Sequence, residues 1–173
     1  PGNVYLGVVS RLDALATGVV VFARTSKAAA RLSRQFLERE TVKFYWAIVA
    51  SQPNPPTGTL TDWLFHDDQR RRVVVVAPHM PQAKEARLSY RTLDRVPGGT
   101  LVEVHLETGR KHQIRVQLAE AGCPVVGDDK YGSKNQPPTR LALHASYFSF
   151  PHPVTGAKCE FESPLPNQLA RMV

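Results

Sequence analysis

Leu101-Val102-Glu103-Val104-His105-Leu106-Glu107-Thr108-Gly109-Arg110-Lys111-His112-Gln113-Ile114-Arg115 changes its hydrophobic period halfway along. Residues 101–106 alternate, with Val102, Val104 and Leu106 on one face and Glu103 and His105 on the other, the period of a strand with one side buried. A sheet built this way is half solvated, which points to antiparallel or mixed pairing. Past Gly109 the period lengthens: Ile114, Leu118 and Ala121 recur at i, i+4, i+7, so 111–121 reads as a helix that Gly122 and Pro124 stop.

Working outward, runs rich in Val, Tyr, Phe and Trp at 4–9, 18–23, 42–49, 72–76, 87–94, 141–150 and 159–161 read as further strands. Nine of the 14 prolines cluster between them, at 53–56, 78–81, 137–138 and 151–153, and mark loops. A second helix is expected over 26–40, where Ala28, Leu32, Phe36 and Leu37 form one stripe, Lys27, Arg31, Arg34 and Arg39 lie outside it, and Ser26 caps the start. About eight strands and two helices make an α+β domain on a mixed or antiparallel sheet.

At 173 residues and 42% hydrophobic, the chain is one domain (1–173) with enough apolar surface for a core. Its formal charge of +7 suits a polyanionic partner. Cys123 and Cys159 form no C-x-x-C pair, so no metal site is expected, and free thiols fit the cytoplasm. The longest apolar runs fall far short of the roughly 18 residues a membrane helix needs. The chain opens on Pro1 with no signal-like segment, so upstream sequence is expected beyond it.

The usual signatures of nucleotide hydrolysis, dinucleotide redox and esterase chemistry are absent: no G-x-x-x-x-G-K-[ST], no G-x-G-x-x-G and no G-x-S-x-G. His105-Leu106-Glu107 matches half of a zinc deaminase motif, but the P-C-x-x-C half is missing. Two segments interrupt apolar surroundings with charge. In Ser10-Arg11-Leu12-Asp13, Arg11 and Asp13 would point the same way from an extended chain, either as a loop salt bridge or as an acid and base at a site. In Arg110-Lys111-His112-Gln113-Ile114-Arg115, four cationic or potentially cationic side chains crowd a helix start. The dipole disfavours them there unless an anion is supplied, so the segment is either a solvated basic face or a phosphate site.

Arg11-Leu12-Asp13, Lys43-Phe44-Tyr45-Trp46-Ala47, Thr108-Gly109-Arg110-Lys111-His112-Gln113-Ile114-Arg115 and Gly127-Asp128-Asp129-Lys130-Tyr131-Gly132 resemble, in order and spacing, the successive motifs of the RluA-type pseudouridine synthases. The segments Leu141-Ala142-Leu143-His144-Ala145, Phe150-Pro151-His152-Pro153 and Ser163-Pro164-Leu165-Pro166 resemble the end of that family's catalytic domain, so the likeness spans nearly the whole chain. Ser10 and Ala16-Thr17-Gly18 depart from the family's His and Thr-Ser-Gly. The family's upstream strands and frequent N-terminal RNA-binding domain have no counterpart here.

The resemblance implies an α+β domain around a long, bent mixed sheet flanked by few helices, with the active site in a basic central cleft. It implies isomerisation of specific uridines in ribosomal or transfer RNA without a cofactor, by a monomer. Asp13 would be the nucleophile or base at C1′, Arg115 its partner, since an opposite charge within about 4–6 Å favours the ionised carboxylate, and Tyr45 the ring on the uracil. Arg11 would fill the gap left by the extruded base, and Arg110, Lys111 and Lys130 would meet phosphates. Other readings stay open beside these: an ordinary buried aromatic for Tyr45, a turn-fixing role for His112 and Gln113, and for Arg70, Arg71 and Arg72 a solvated edge that discourages sheet pairing. As rival functions stand a non-catalytic RNA-binding or ribosome-assembly module, and a nucleoside or glycoside hydrolase, which would need a second acid beside Asp13.

Overall fold

A computed structural model describes residues 4–132 and 140–170; the expected proline loop at 137–138 lies outside them. The strands are β1 (Gly7–Val8), β2 (Thr17–Gly18), β3 (Phe22–Ala23), β4 (Val42–Val49), β5 (Thr57–Asp67), β6 (Arg72–Val76), β7 (Lys84–Val96), β8 (Gly99–Leu106), β9 (Leu143–Pro151) and β10 (Lys158–Glu162). The helices are α1 (Ser26–Leu37), α2 (Gln113–Glu120) and the single turn α3 (Asn167–Ala170). The main sheet runs β10-β9-β4-β8-β7-β5-β6, every neighbour antiparallel, while β2 adds to β9 in parallel and makes the sheet mixed. This is the expected α+β architecture. No helix of the described residues is long and apolar enough to cross a membrane.

The alternation of β8 sorts its two faces. Val102 and Val104 are fully buried with Leu88 of β7 and Ala47 of β4, and α2 adds Ile114 and Leu118 to the same cluster. Each of the Val, Leu and Ile side chains contributes about 1.5–3 kcal/mol on burial. On the opposite face Phe44 stacks on His105 with centroids 4.9 Å apart, and Arg91 pairs with Glu103 at 2.6 Å. α1 has its own smaller core, where Leu32 packs with Ala23, Phe148 and Phe150.

Several expected boundaries move, for local reasons. The run 18–23 divides because Gly18, at φ +115°, turns the chain from β9 toward the separate β1–β3 pair. The expected strand 4–9 shortens to Gly7–Val8. Helix 26–40 ends at Leu37, before Arg39 takes a positive φ of 59°, and its cap is Thr25 rather than Ser26. Thr25 is extended and its hydroxyl accepts from the Ala28 amide at 3.1 Å. Helix 111–121 begins only at Gln113, since His112 is left-handed at φ 54°. β5 was not expected: Gly58, Thr59, Thr61 and Asp62 dilute its apolar pattern, and pairing on both sides with β6 and β7 supplies what local propensity lacks.

Gly18 is where the sheet meets the loop bearing Asp13. A Cβ there would lie 2.2 Å from the Ala145 carbonyl oxygen, and the next residue, Val19, donates to that same oxygen at 3.0 Å. Gly18→Ala is therefore expected to lower the thermal midpoint by about 4 °C or more, from backbone strain and collision together. Gly98→Ala, also at a positive φ (+87°) but facing open space, serves as the control and should fall less. Circular dichroism melts of both variants check this; equal losses would remove the steric part.

Candidate active site

Asp13 stands on the loop between β1 and β2, and the loop is tied at both ends. Ser10 accepts from the Val21 amide at 2.8 Å, and Ala16 donates to the Asp13 carbonyl at 2.9 Å. Thr17 bonds Nδ1 of His144 at 2.8 Å while Nε2 of His144 faces the Ser163 carbonyl at 3.1 Å. With Nε2 donating to that carbonyl, Nδ1 accepts and the Thr17 hydroxyl donates. Ser10 and Thr17, two positions where the chain departs from the resembled pattern, are thus structural ties of the loop.

Arg115, in the first turn of α2, reaches Asp13 with one guanidinium nitrogen at 3.0 Å. Its other two nitrogens fork onto Asp128, Nε at 2.7 Å and Nη2 at 2.8 Å. The Asp128 side chain is 0% exposed and Asp13 is 20% exposed, so only Asp13 presents a carboxylate to an entering molecule. Burial alone would lower the Arg115 pKa, but the hydrogen bonds and charges of the two carboxylates outweigh it and raise it. Burial likewise opposes the charge on Asp128, yet the Arg115 fork and the Tyr131 and Lys130 amides hold its pKa below the ordinary carboxylate range. The anion expected at the crowded helix start is, for Arg115, supplied by the protein itself.

Tyr131 completes the cluster. Its hydroxyl accepts from the Val73 amide at 3.0 Å and lies 2.7 Å from Nδ1 of His112, while its ring sits 5.1 Å from the Arg115 guanidinium carbon. The Tyr131 proton is therefore free to go to Nδ1, which leaves a neutral His112 with its own proton on Nε2, 4.0 Å from Asp13. Burial lowers the His112 pKa, Asp13 pulls against this, and Arg115, Lys130 and Lys111 reinforce it. Gln113 is buried and fixes the turn: its side-chain oxygen accepts from Thr108 at 2.8 Å and from the Arg110 amide at 3.0 Å.

In front of Asp13 lies a cavity of about 630 Å³, walled by Arg11, Tyr45, Arg110 and Lys111 among others. Burial first, and then the charge of Asp13, push the Tyr45 phenol up to about 12, so it keeps its proton at neutral pH. Arg11 is exposed at the mouth; the acid paired with Arg115 is Asp13, and no Arg11–Asp13 bridge forms. Arg110 donates to the Glu85 carbonyl at 2.8 Å, and Lys111 lies 2.8 Å from His66. Lys130 is outside the cavity wall, donating to the Arg71 carbonyl at 2.7 Å. Arg72 lies on the edge strand β6 with its guanidinium over the Tyr131 ring. The His105-Leu106-Glu107 run forms no metal site: His105 stacks on Phe44 and Glu107 pairs with Arg87. Among the described residues no group of three or more His, Cys, Asp or Glu side chains is placed to hold a metal ion.

Asp128 and Tyr131 lie in the Gly127–Gly132 segment but carried no expected role. The signal for Asp128 was the Gly-Asp-Asp run itself, in which an acid two residues past Val126 precedes a glycine-closed turn.

A family profile described as RNA pseudouridylate synthase matches residues 1–120. An RNA pseudouridine synthase of Chloroflexus aurantiacus is 41% identical over 171 residues, covering 97% of this chain and 52% of that protein. The ribosomal large subunit pseudouridine synthase D of Nitrosomonas europaea is 36% identical over 176 residues, covering 96% of this chain and 50% of that protein. Among solved structures, human RNA pseudouridylate synthase domain containing 4 superposes with a TM-score of 0.81 at 28% identity, over 96% of this chain and 74% of that one. The chain spans about half the length of the curated relatives it matches.

Asp128→Asn is expected to destabilise by about 3 kcal/mol, because it leaves a buried guanidinium short of a charge partner. The sign of the pH effect follows from the lowered Asp128 pKa. Its stabilisation is full above the ordinary Asp value near 3.9 and is lost as pH falls through the lower folded value. Chemical denaturation from about pH 6 to about pH 2 should show wild-type stability falling toward that of Asp128→Asn at the acid end. A gap that stays constant with pH would contradict the assignment.

Proposed function

The chain belongs to the RNA pseudouridylate synthase family, and we propose that it isomerises specific uridines of ribosomal or transfer RNA to pseudouridine, with Asp13 as the reacting carboxylate. The observation that carries this is the position of Asp13, the accessible acid of the Arg115 cluster, opening on a cavity walled by Tyr45 and basic side chains. The names of relatives such as the Nitrosomonas europaea protein favour the large ribosomal subunit as the source of the RNA.

The reaction breaks the N1–C1′ bond, turns the uracil and joins C5 to C1′, while the proton on C5 is released and N1 gains one. As the first bond breaks, positive charge grows at C1′, and the Asp13 carboxylate bonds to that carbon or removes the proton at C2′. Arg115 orients Asp13 for either route. Tyr45, protonated, would lie against the base; it takes the C5 proton only by handing its own onward, and Asp13 is the carboxylate whose charge acts on its phenol. Arg11, exposed on the cavity wall, would occupy the stack the uridine leaves. A hydrolase would need a second free acid, and Asp128 is wholly buried in the fork of Arg115.

Asp13→Asn should leave folding and RNA affinity near wild type while lowering pseudouridine formation by about 10⁴-fold, since the loss falls on the transition state. Arg115→Met is the poorer probe because it also strands Asp128. Mapping pseudouridine in ribosomal and transfer RNA from cells expressing wild type, Asp13→Asn or neither identifies the target. An Asp13→Asn protein that restores every site would end this mechanism; wild-type protein that binds RNA and modifies none would make the chain a binding module.

A further inference from the structure

Lys43 and Tyr45 are two residues apart on β4, so their side chains leave the same face about 6.6 Å apart along the strand, and both line the cavity. Phe44 between them turns away to stack on His105. The Lys43 ammonium lies 4.2 Å from the centroid of the Phe36 ring of α1 and 5.5 Å from that of Phe148 of β9. On the third side is Gly109, where a Cβ would stand 3.8 Å from the ammonium. Among the described residues no carboxylate comes within 4.0 Å of it. The neighbouring cations differ: Arg115 has two carboxylates, Arg110 a carbonyl and Lys111 a histidine nitrogen, while Arg11 is exposed to solvent.

The two rings attract the ammonium through their faces, but less than an anion would, so its charge is only partly compensated when nothing is bound. We propose that Lys43 receives a backbone phosphate adjoining the target uridine, so that β4 grips one nucleotide at two points, the base at Tyr45 and the phosphate at Lys43. This rests on the reading of the cavity as the uridine site and deepens it. A phosphate supplies the full negative charge that no carboxylate, Asp13 included, brings within 4.0 Å of the ammonium, and a uracil carbonyl does not. Gly109 keeps the opposite wall low, leaving room for the sugar–phosphate chain beside the ammonium.

The titratable and charged groups sharing the cavity are Arg11 and Asp13 on the first loop, Tyr45 on β4, Arg110, Lys111 and His112 ahead of α2, and Tyr147 on β9. Burial lowers Lys43 to about 8, with no carboxylate close enough to oppose it. The free protein therefore loses this charge as pH rises through that value, whereas an arginine at the same place would keep it.

The probe is a synthetic RNA stem–loop with one loop uridine, made with each linkage beside that uridine replaced in turn by an uncharged methylphosphonate. Binding is measured for wild type, Lys43→Met and Lys43→Arg. Lys43→Met should reduce the slope of log affinity against log salt by about 0.7, one phosphate's worth on a single strand, and Lys43→Arg should keep it. One methylphosphonate should weaken wild type and leave Lys43→Met indifferent. Raising pH from about 7 to about 9 should weaken wild type more than Lys43→Arg, a comparison that stands even if Lys43→Met does not fold. Equal salt slopes, equal sensitivity to every linkage, or parallel pH profiles of wild type and Lys43→Arg would each overturn the proposal. Because these readouts are of binding, they separate from the reaction: pseudouridine made with Lys43 indifferent refutes the phosphate contact alone, and the contact without any pseudouridine refutes the isomerase reading alone.

Discussion

A single guanidinium shared by two carboxylates sets the geometry of this protein. Arg115 is almost wholly buried, and a buried cation is tolerable only when its hydrogen bonds and charge are answered nearby. Asp128 answers with both oxygens, and its Oδ1 also takes the Lys130 and Tyr131 amides at 3.0 Å, so the 127–131 turn and α2 become one rigid piece. What remains of Arg115 is one nitrogen aimed outward, and that nitrogen determines where Asp13 stands. The cluster keeps one negative charge in excess, on the carboxylate that faces the cavity. The charge open to an entering molecule is what is left over after the buried acid has been neutralised.

The sheet serves that cluster as a platform. β4 lies near its middle, between β8 and β9, and is the strand whose alternation delivers Tyr45 to the cavity. β9 offers the carbonyl of Ala145, against which Gly18 is pressed, and the imidazole of His144, which holds Thr17. The loop with Asp13 is therefore gripped by the same strand that flanks Tyr45. Acid and aromatic ring hold a constant relation although residues 13 and 45 come from different parts of the chain.

The bounds of β4 and β6 were legible because their apolar runs begin and end within a few residues of charged or turn-forming neighbours. β8 was legible because its alternation is nearly uninterrupted. The partnership of Arg115 with Asp13 was legible through motif order, not through any local property of either residue. Asp128 was not, because Asp128 and Asp129 look alike in the sequence; only the fold puts one beneath α2 and leaves the other exposed. Lys43 was hidden for a similar reason. A lysine in a strand reads as a solvent-facing residue until α1 is seen to bring Phe36 across it. β5 escaped because glycine and threonine dilute a pattern that two neighbouring strands then enforce. Tertiary context decided each of these cases, overriding a weak or ambiguous local signal.

The pairing of β4 with β9 shifts register between Phe44 and Tyr45, where β9 accommodates one extra residue and the Ser146 hydroxyl donates to the Phe44 carbonyl at 3.2 Å. Because strand side chains alternate, the insertion or loss of one residue in β4 would exchange Lys43 and Tyr45 with Phe44 and Trp46 and present the wrong face to the cavity. The hairpin tip at Gly98, where a Cβ would meet nothing within 4 Å, bears no such constraint. Changes of length are thereby confined to hairpin tips such as this one, where residues can be added or removed while β4 keeps its count.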